Sequence, residues 1–247
     1  MTIALGFRAS DGVLLCADMQ VTIGEMKTYD GKIVDTIFHN DSRLTISIAG
    51  AGDEDYIKTA REALLIDFPK DICADILKRE LKGRLLAFWR NHLLPWPELE
   101  RPDIELLIGV TGIKIPTGLF HYRGTAFSEV SAKAIGSGVL LAADLINSYC
   151  HADYNLEQLA RIAVFILSKV KRGVEGCGGP THLTALRANA DFGFCEHAET
   201  VEEELAKLEH EFNRDFVKRL TSTDGKLISW ISEAGSGKKR SSDASNS

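Results

Sequence analysis

The chain has 247 residues, of which 45% are hydrophobic, so it is long enough to enclose one large core or two modest ones. Its net charge of -6 at pH 7 disfavours a general nucleic-acid binder, because neutralising phosphates requires a basic face. The opening residues show no basic region followed by an apolar stretch, and no apolar run approaches the length of a membrane span. We therefore predict a cytoplasmic protein without a membrane-spanning segment.

The cysteines and histidines predict neither a disulfide framework nor a metal site. The five cysteines are an odd number without a C-x-x-C pair, which favours reduced, mostly buried thiols. The seven histidines are dispersed without the spacing of metal ligands. No metal or organic cofactor is implied.

The first fifty residues are predicted to be mostly β-sheet. Short apolar runs flank a turn signal at Ser10-Asp11-Gly12, which predicts a hairpin at the start of the chain. A glycine-containing stretch over 22–31 separates this hairpin from two further strands. In order, the predicted strands cover 3–8, 13–17, 32–38 and 44–49.

Helical periodicity begins after residue 52. Apolar residues recur at helical spacing over 57–68 and over 72–89, which predicts two consecutive helices ended by Pro95 and Pro97. The remaining predicted elements are strands over 104–110, 118–122, 131–135 and 181–188, and helices starting near 137 and covering 156–170. The helix over 156–170 is apolar on nearly every side, so it is expected to be buried.

The C-terminal part is predicted to hold an amphipathic helix and a tail. Apolar residues from Val201 to Phe216 mark one face of the helix, and the other face is strongly charged. The segment 233–247 is rich in serine and charge and cannot bury enough apolar surface to order, so it is predicted to be disordered. We predict a single domain over 2–232 followed by this tail. The order of elements predicts an α+β fold with helices covering both faces of two stacked sheets.

Several short segments follow one another along the chain in an order that is typical of one protein family. The opening TIALGF is followed by DGVLLCAD, whose Asp18 stands sixteen residues after Thr2, and then by TIG. Further along are SIAGAGD over 47–53 and AIGSG over 134–138. Together, over roughly residues 2–190, these segments resemble the proteasome β-subunits and their bacterial relatives, including the peptidase of the bacterial ATP-dependent two-component protease.

The resemblance implies a four-layer αββα sandwich of the N-terminal-nucleophile hydrolase type and a threonine peptidase. Removal of Met1 would expose Thr2, whose hydroxyl would be the nucleophile and whose α-amine, with a reference pKa of about 7.7–8.0, would be the base. Asp18 would be the catalytic aspartate.

Three further positions carry roles that the resemblance implies. Backbone N–H groups at Gly50 and Ala51 would form the oxyanion hole, an effect typically worth about 3–4 kcal/mol. Ser137 would support the site from its loop.

One departure from the family's pattern concerns a lysine. Val34 stands where the family has a lysine that lowers the nucleophile's effective pKa. Lys32 is the nearest substitute, because two residues along a strand return to the same face and a bulge or register shift could bring it to the site. The alternative is that Lys32 lines the substrate pocket.

The other departure lies in the RGVEGCGG segment over 172–179, which resembles a family loop carrying an aspartate and a serine. Val174 replaces the aspartate, and the adjacent Glu175 is the candidate for its carboxylate role. Cys177 replaces the serine and would either keep a weak hydrogen bond or pack.

The resemblance implies a threonine endopeptidase or amide hydrolase that cleaves protein or peptide substrates inside a stacked ring of copies of itself, fed by an ATP-dependent unfoldase. Neither nucleic acid nor membrane is an expected partner. Two alternatives stay open: a non-catalytic structural subunit, and an N-terminal-nucleophile amidase that acts on a non-peptide substrate.

Overall fold

The computed structural model describes residues 2–23, 26–38, 43–113, 115–188 and 192–194, together with 203, 206–207, 210–211 and 214. The chain divides into two units, Met1–Glu202 and Glu203–Ser247. The described residues of the second unit are all helical and exposed, in agreement with the charged face of the predicted C-terminal helix. The apolar face of that helix and the tail over 233–247 lie outside the described residues, and the domain bounds stay a prediction.

Two antiparallel five-stranded sheets form the centre of the first unit. In chain order the strands are β1 (Ile3–Ala9), β2 (Gly12–Asp18), β3 (Gln20–Ile23), β4 (Met26–Tyr29), β5 (Ile33–Ile37), β6 (Thr45–Gly52), β7 (Ile104–Gly112), β8 (Ile115–Arg123), β9 (Ala126–Glu129), β10 (Ala132–Gly136), β11 (Thr181–Arg187) and β12 (Phe192–Phe194). The first sheet has the order β10-β1-β2-β11-β12 and the second the order β5-β6-β7-β8-β9, while β3 and β4 form a separate hairpin. The strands β3, β4, β9 and β12 were not predicted, because three or four residues are too few to show a period.

The helices cover the outer faces of both sheets. They are α1 (Glu54–Leu64), α2 (Ala74–Phe88), which continues into a π-helical turn (Trp89–Leu93), α3 (Val139–Tyr149) and α4 (Leu156–Gly173). Asp53 caps α1 by accepting the N–H groups of Asp55 and Tyr56. The predicted burial of α4 holds for one face, on which Leu159, Ala163 and Leu167 are buried. It does not hold for the other face, where Glu157 and Arg161 are exposed and form a salt bridge across one turn.

Two of the hydrophobic cores among the described residues lie between adjacent layers. One lies between the sheets and includes Val13 and Leu15 of the first sheet and Leu107 and Leu119 of the second. The other packs α1 and α2 onto the outer face of the second sheet. On the far side, α3 and α4 pack on the first sheet. The predicted four-layer αββα sandwich is therefore confirmed. Within the part of the chain that the structure describes, no helix is both long enough and apolar enough to cross a membrane.

Tyr122 on β8 gives a test of this packing. Its side chain is 1% exposed, its hydroxyl finds no hydrogen-bond partner among the described residues, and burial raises its pKa to about 12. Because an unpartnered buried hydroxyl is costly, Tyr122→Phe is expected to raise the free energy of unfolding by about 1 kcal/mol in a urea titration. Tyr29→Phe, at a position 61% exposed, is the control and should change it by less. Destabilisation by Tyr122→Phe would mean that the hydroxyl does have a partner.

Candidate active site

Thr2 lines a cavity of about 260 Å³, and Lys32 and Gly50 line it as well. The backbone holds Thr2 in place, because its carbonyl accepts the N–H of Ser137 at 2.8 Å. Gly136 makes this approach feasible: it has a φ of 97°, and a Cβ there would lie 2.0 Å from the same carbonyl oxygen. The N-terminal end of β1 is thus fixed against the end of β10.

Asp18 accepts hydrogen bonds from several parts of the site. It is fully buried at the end of β2. Its Oδ1 accepts the backbone N–H of Ile3 at 3.0 Å and the ammonium of Lys32 at 2.7 Å, and its Oδ2 accepts the N–H of Gly178 at 3.0 Å. One carboxylate therefore ties together the residue after Thr2, the segment before β5 and the loop after α4.

Lys32 reaches Asp18 from just ahead of β5. The ladder between β5 and β6 starts at Ile33 and runs without a bulge, so the register shift considered for Lys32 does not occur in this pair. Lys32 both binds Asp18 and lines the cavity of Thr2. Its role as a substitute for the family's lysine, or as part of a substrate pocket, stays a prediction. Val34 pairs with Ile48, a member of the core beneath α1 and α2, so position 34 faces away from the first sheet.

Gly50 and Ala51 lie near the end of β6, where pairing with β5 has stopped at Ala49 but pairing with β7 continues. Successive residues of an antiparallel strand direct their N–H groups to opposite neighbours. One of these two N–H groups therefore points to the side that β5 no longer covers. A Cβ at position 50 would lie only 2.6 Å from the side chain of Ile57, so a residue larger than glycine would clash there.

The loop after α4 brings a backbone group to Asp18 rather than the predicted carboxylate. Glu175 is exposed, and the described hydrogen bonds of Asp18 do not include it. Cys177 is buried, and burial raises the pKa of its thiol, with the Asp18 carboxylate adding to the rise and Lys32 opposing it. Cys177 is thus a neutral thiol beside the ion pair. Ser137 contributes its backbone N–H to Thr2, while its side chain is exposed.

Two contributors to the site were missed by the sequence reasoning. Gly178 supplies an N–H to Asp18, and the Gly-Gly pair at the end of the 172–179 loop was its signal. Arg61 on α1 lines the cavity and donates to the carbonyl of Lys32. It belongs to a helix face that looks solvated in sequence, so no pattern marked it.

Comparison with known proteins corrects the family assignment. No family model matches the sequence, and no curated protein matches it. The assignment to the proteasome β-subunit family and its bacterial relatives, made from short segments, is therefore wrong as a statement about sequence. What matches is the fold of solved structures.

Among the matching structures are proteins named Anbu. Anbu (ancestral beta-subunit) from Yersinia bercovieri is 13% identical, with a TM-score of 0.68 over 86% of this chain and 97% of that chain. Anbu from Hyphomicrobium sp. strain MC1 is 13% identical, with a TM-score of 0.70 over 91% and 100%. Anbu in a helical assembly from Pseudomonas aeruginosa is 13% identical, with a TM-score of 0.68 over 90% and 98%. At these identities the likeness shows the fold alone, the four-layer αββα sandwich that this chain shares with the Anbu structures. The chemistry has to be argued from the residues of this chain.

Proposed function

We propose that this chain is a threonine-type peptidase in which Thr2 supplies both the nucleophilic hydroxyl and the catalytic amine. The observation that carries the proposal is the buried ion pair of Lys32 and Asp18 at a cavity that Thr2 lines. Taking two charges out of water is costly, and buried charges in a cleft gather at functional sites. The fold, in which Thr2 precedes the first strand, is consistent with this role.

The chemistry follows from the groups present. The α-amine of Thr2 takes the hydroxyl proton as Oγ1 attacks the substrate carbonyl carbon, and the N–H at Gly50 or Ala51 stabilises the oxyanion. The ammonium of the amine then protonates the leaving nitrogen, the C–N bond breaks, and an ester to Thr2 remains. Water, deprotonated by the same amine, hydrolyses this ester. A free amine requires that whatever precedes Thr2 is removed.

Lys32 and Asp18 have separate roles in this scheme. The Lys32 ammonium stabilises negative charge developing on the Thr2 oxygen. Asp18 holds that ammonium and, through the N–H of Ile3, the start of β1. Cys177 and Ser137 shape the surroundings of Asp18 and Thr2. Glu175, which is exposed, takes no part in the proposed step.

Self-association is the second part of the proposal. The Pseudomonas aeruginosa Anbu complex is described as a helical assembly. We expect copies of this chain to assemble in the same general way, which would enclose the sites and restrict access to unfolded protein or peptide. A closed stacked ring, an ATP-dependent unfoldase and a cytoplasmic location stay predictions.

Intact-mass spectrometry tests the proposal directly. The protein is treated with a peptide epoxyketone, which needs both the hydroxyl and the free amine of Thr2. A chain that begins at Thr2 should gain the mass of one inhibitor, and Thr2→Ala, as control, should gain none. A chain that keeps a residue before Thr2, or that resists labelling with Thr2 free, would contradict the proposal and favour the structural subunit. Labelling with hydrolysis of small amides but of no peptide would favour the amidase.

A further inference from the structure

Arg61 on α1 touches both the cavity of Thr2 and the backbone of Lys32. One terminal nitrogen of its guanidinium donates to the Lys32 carbonyl at 2.5 Å, and its side chain lines the same cavity as Thr2. Its Nε is buried and has no hydrogen-bond partner within the described ranges. Burial lowers the pKa of the guanidinium, while the carboxylates of Glu54 and Asp30 oppose this. Arg61 therefore contacts the backbone of Lys32, while Asp18 contacts its ammonium.

The backbone that carries Lys32 lies outside the sheet ladders. β4 ends at Tyr29 and β5 starts at Ile33, so Lys32 sits in the irregular link between them. The link lies close to β11, where a Cβ on Gly31 would lie 3.4 Å from the imidazole of His182. Arg61 also contacts the link, through the carbonyl of Lys32. A lysine side chain has four flexible carbons, so where its ammonium lies depends on how firmly its backbone is held.

Arg84 on α2 provides a comparison within the same chain. Its guanidinium donates to the carbonyls of Leu64, Ile66 and Asp67, which fastens the end of α1 and the link that follows. Arg61 instead contacts one described carbonyl and leaves a buried donor unmatched. Buried donors are nearly always paired in folded proteins, so this arrangement is poor as a structural fastening. Such an arrangement is expected of a residue that acts by holding another residue, here Lys32, in position.

We propose that Arg61 is a positioning residue: it fixes the Lys32 backbone so that the ammonium stays on Asp18 and beside Thr2. The inference rests on the proposed function, because the effect is read at Thr2. Without Arg61, the link can shift and the ammonium can leave its place, and displacements of about 1 Å in a site can slow a reaction about 100-fold. The effect is read at the chemical step, through the pH profile of the reaction at Thr2, which a purely structural role would not shift.

The pH dependence of labelling reports the position of the ammonium. Among the described residues, the charged or titratable groups near Thr2 are Asp18 from β2, Lys32 ahead of β5 and Cys177 after α4. Asp30, Glu54, Lys58 and Arg61 line the cavity, and the imidazole of His182 from β11 lies against the link that carries Lys32. A positive charge beside the Thr2 amine lowers the pKa of that amine. When Lys32 moves away, this pKa rises toward its reference value of about 7.7–8.0. Because labelling needs the neutral amine, its pH midpoint then moves to higher pH.

The experiment measures the second-order rate of epoxyketone labelling at Thr2 against pH for the wild type, Arg61→Met, Arg61→Lys and Arg84→Met. For Arg61→Met we expect a rate about 10- to 100-fold lower and a midpoint at higher pH. Arg61→Lys keeps a donor and should recover part of both. Arg84→Met is the matched control: it should lower the midpoint of thermal unfolding while its pH profile stays that of the wild type.

The outcomes separate this inference from the proposed function. No labelling of the wild type means that the proposed function fails. Labelling of the wild type with an unchanged rate and pH midpoint in Arg61→Met overturns the role of Arg61 alone, as does an equal shift in Arg84→Met. A crystal structure of Arg61→Met gives a readout that needs no activity. The inference expects Lys32 Nζ to leave Asp18 Oδ1, and an ion pair retained at 2.7 Å would overturn it.

Discussion

Asp18→Ala is expected to lower the free energy of unfolding by about 3–5 kcal/mol, the usual effect of removing one partner from a buried ion pair. The side chain of Asp18 is 0% exposed and that of Lys32 is 10% exposed, so the orphaned ammonium would be left away from water. The N–H groups of Ile3 and Gly178 would lose their acceptor as well. Chemical unfolding, followed by tryptophan fluorescence, measures the change.

Asp103→Ala is the matched control for Asp18→Ala. Asp103 also pairs with a cation, Arg123, but the two side chains are 69% and 58% exposed. Exposed ion pairs contribute about 0–1 kcal/mol, so this variant should be close to the wild type. Asp18→Asn keeps the shape and one acceptor oxygen, and its effect should fall between the two. Equal stability of Asp18→Ala and Asp103→Ala would show that the buried pair does not stabilise the fold.

The part of the site formed by the first hairpin could be predicted from the sequence. The turn signal at Ser10 and Asp11 folds β2 back along β1 in the observed register, with Ala4 opposite Ala17. Asp18 therefore comes to lie beside Ile3 and the end of the strand that Thr2 precedes. This geometry is local in sequence, and a turn with two apolar runs is enough to fix it.

The rest of the site depends on contacts that no local pattern encodes. Lys32 reaches Asp18 only because β5 pairs with β6 in the second sheet while Asp18 ends a strand of the first. Arg61 enters through the packing of α1, on a helix face whose charged residues otherwise read as solvated. Glu175 is a residue that the sequence placed at the site and the structure does not. Its adjacency to Val174 suggested a carboxylate there, but neighbouring loop residues need not point the same way. The loop supplies the N–H of Gly178 to Asp18 instead.

Lys32→Met is expected to have the largest effect on activity, because Lys32 is distant from Thr2 in sequence but lines the same cavity in space. Removing the ammonium beside Thr2 should slow hydrolysis of a fluorogenic peptide, and labelling by the epoxyketone, by about 100- to 1000-fold. Methionine keeps much of the length of the side chain, so the packing of the link changes little. Steady-state kinetics on the processed protein gives the measurement.

Two further variants test whether the loss of activity in Lys32→Met is due to the missing ammonium beside Asp18. Lys58→Met removes another cation that lines the cavity, but its side chain is 59% exposed and paired with Glu54, so kcat should change only a few-fold.

Adding Val34→Lys to Lys32→Met restores a lysine at the position where the proteasome β-subunits have one. It should not restore activity, because the side chain at 34 faces the layer of α1 and α2 and not Asp18. Recovery in that double variant, or equal losses in Lys32→Met and Lys58→Met, would refute the assignment of Lys32. If activity is lost only when the ammonium on Asp18 is lost, the charge that assists Thr2 is supplied from the link ahead of β5.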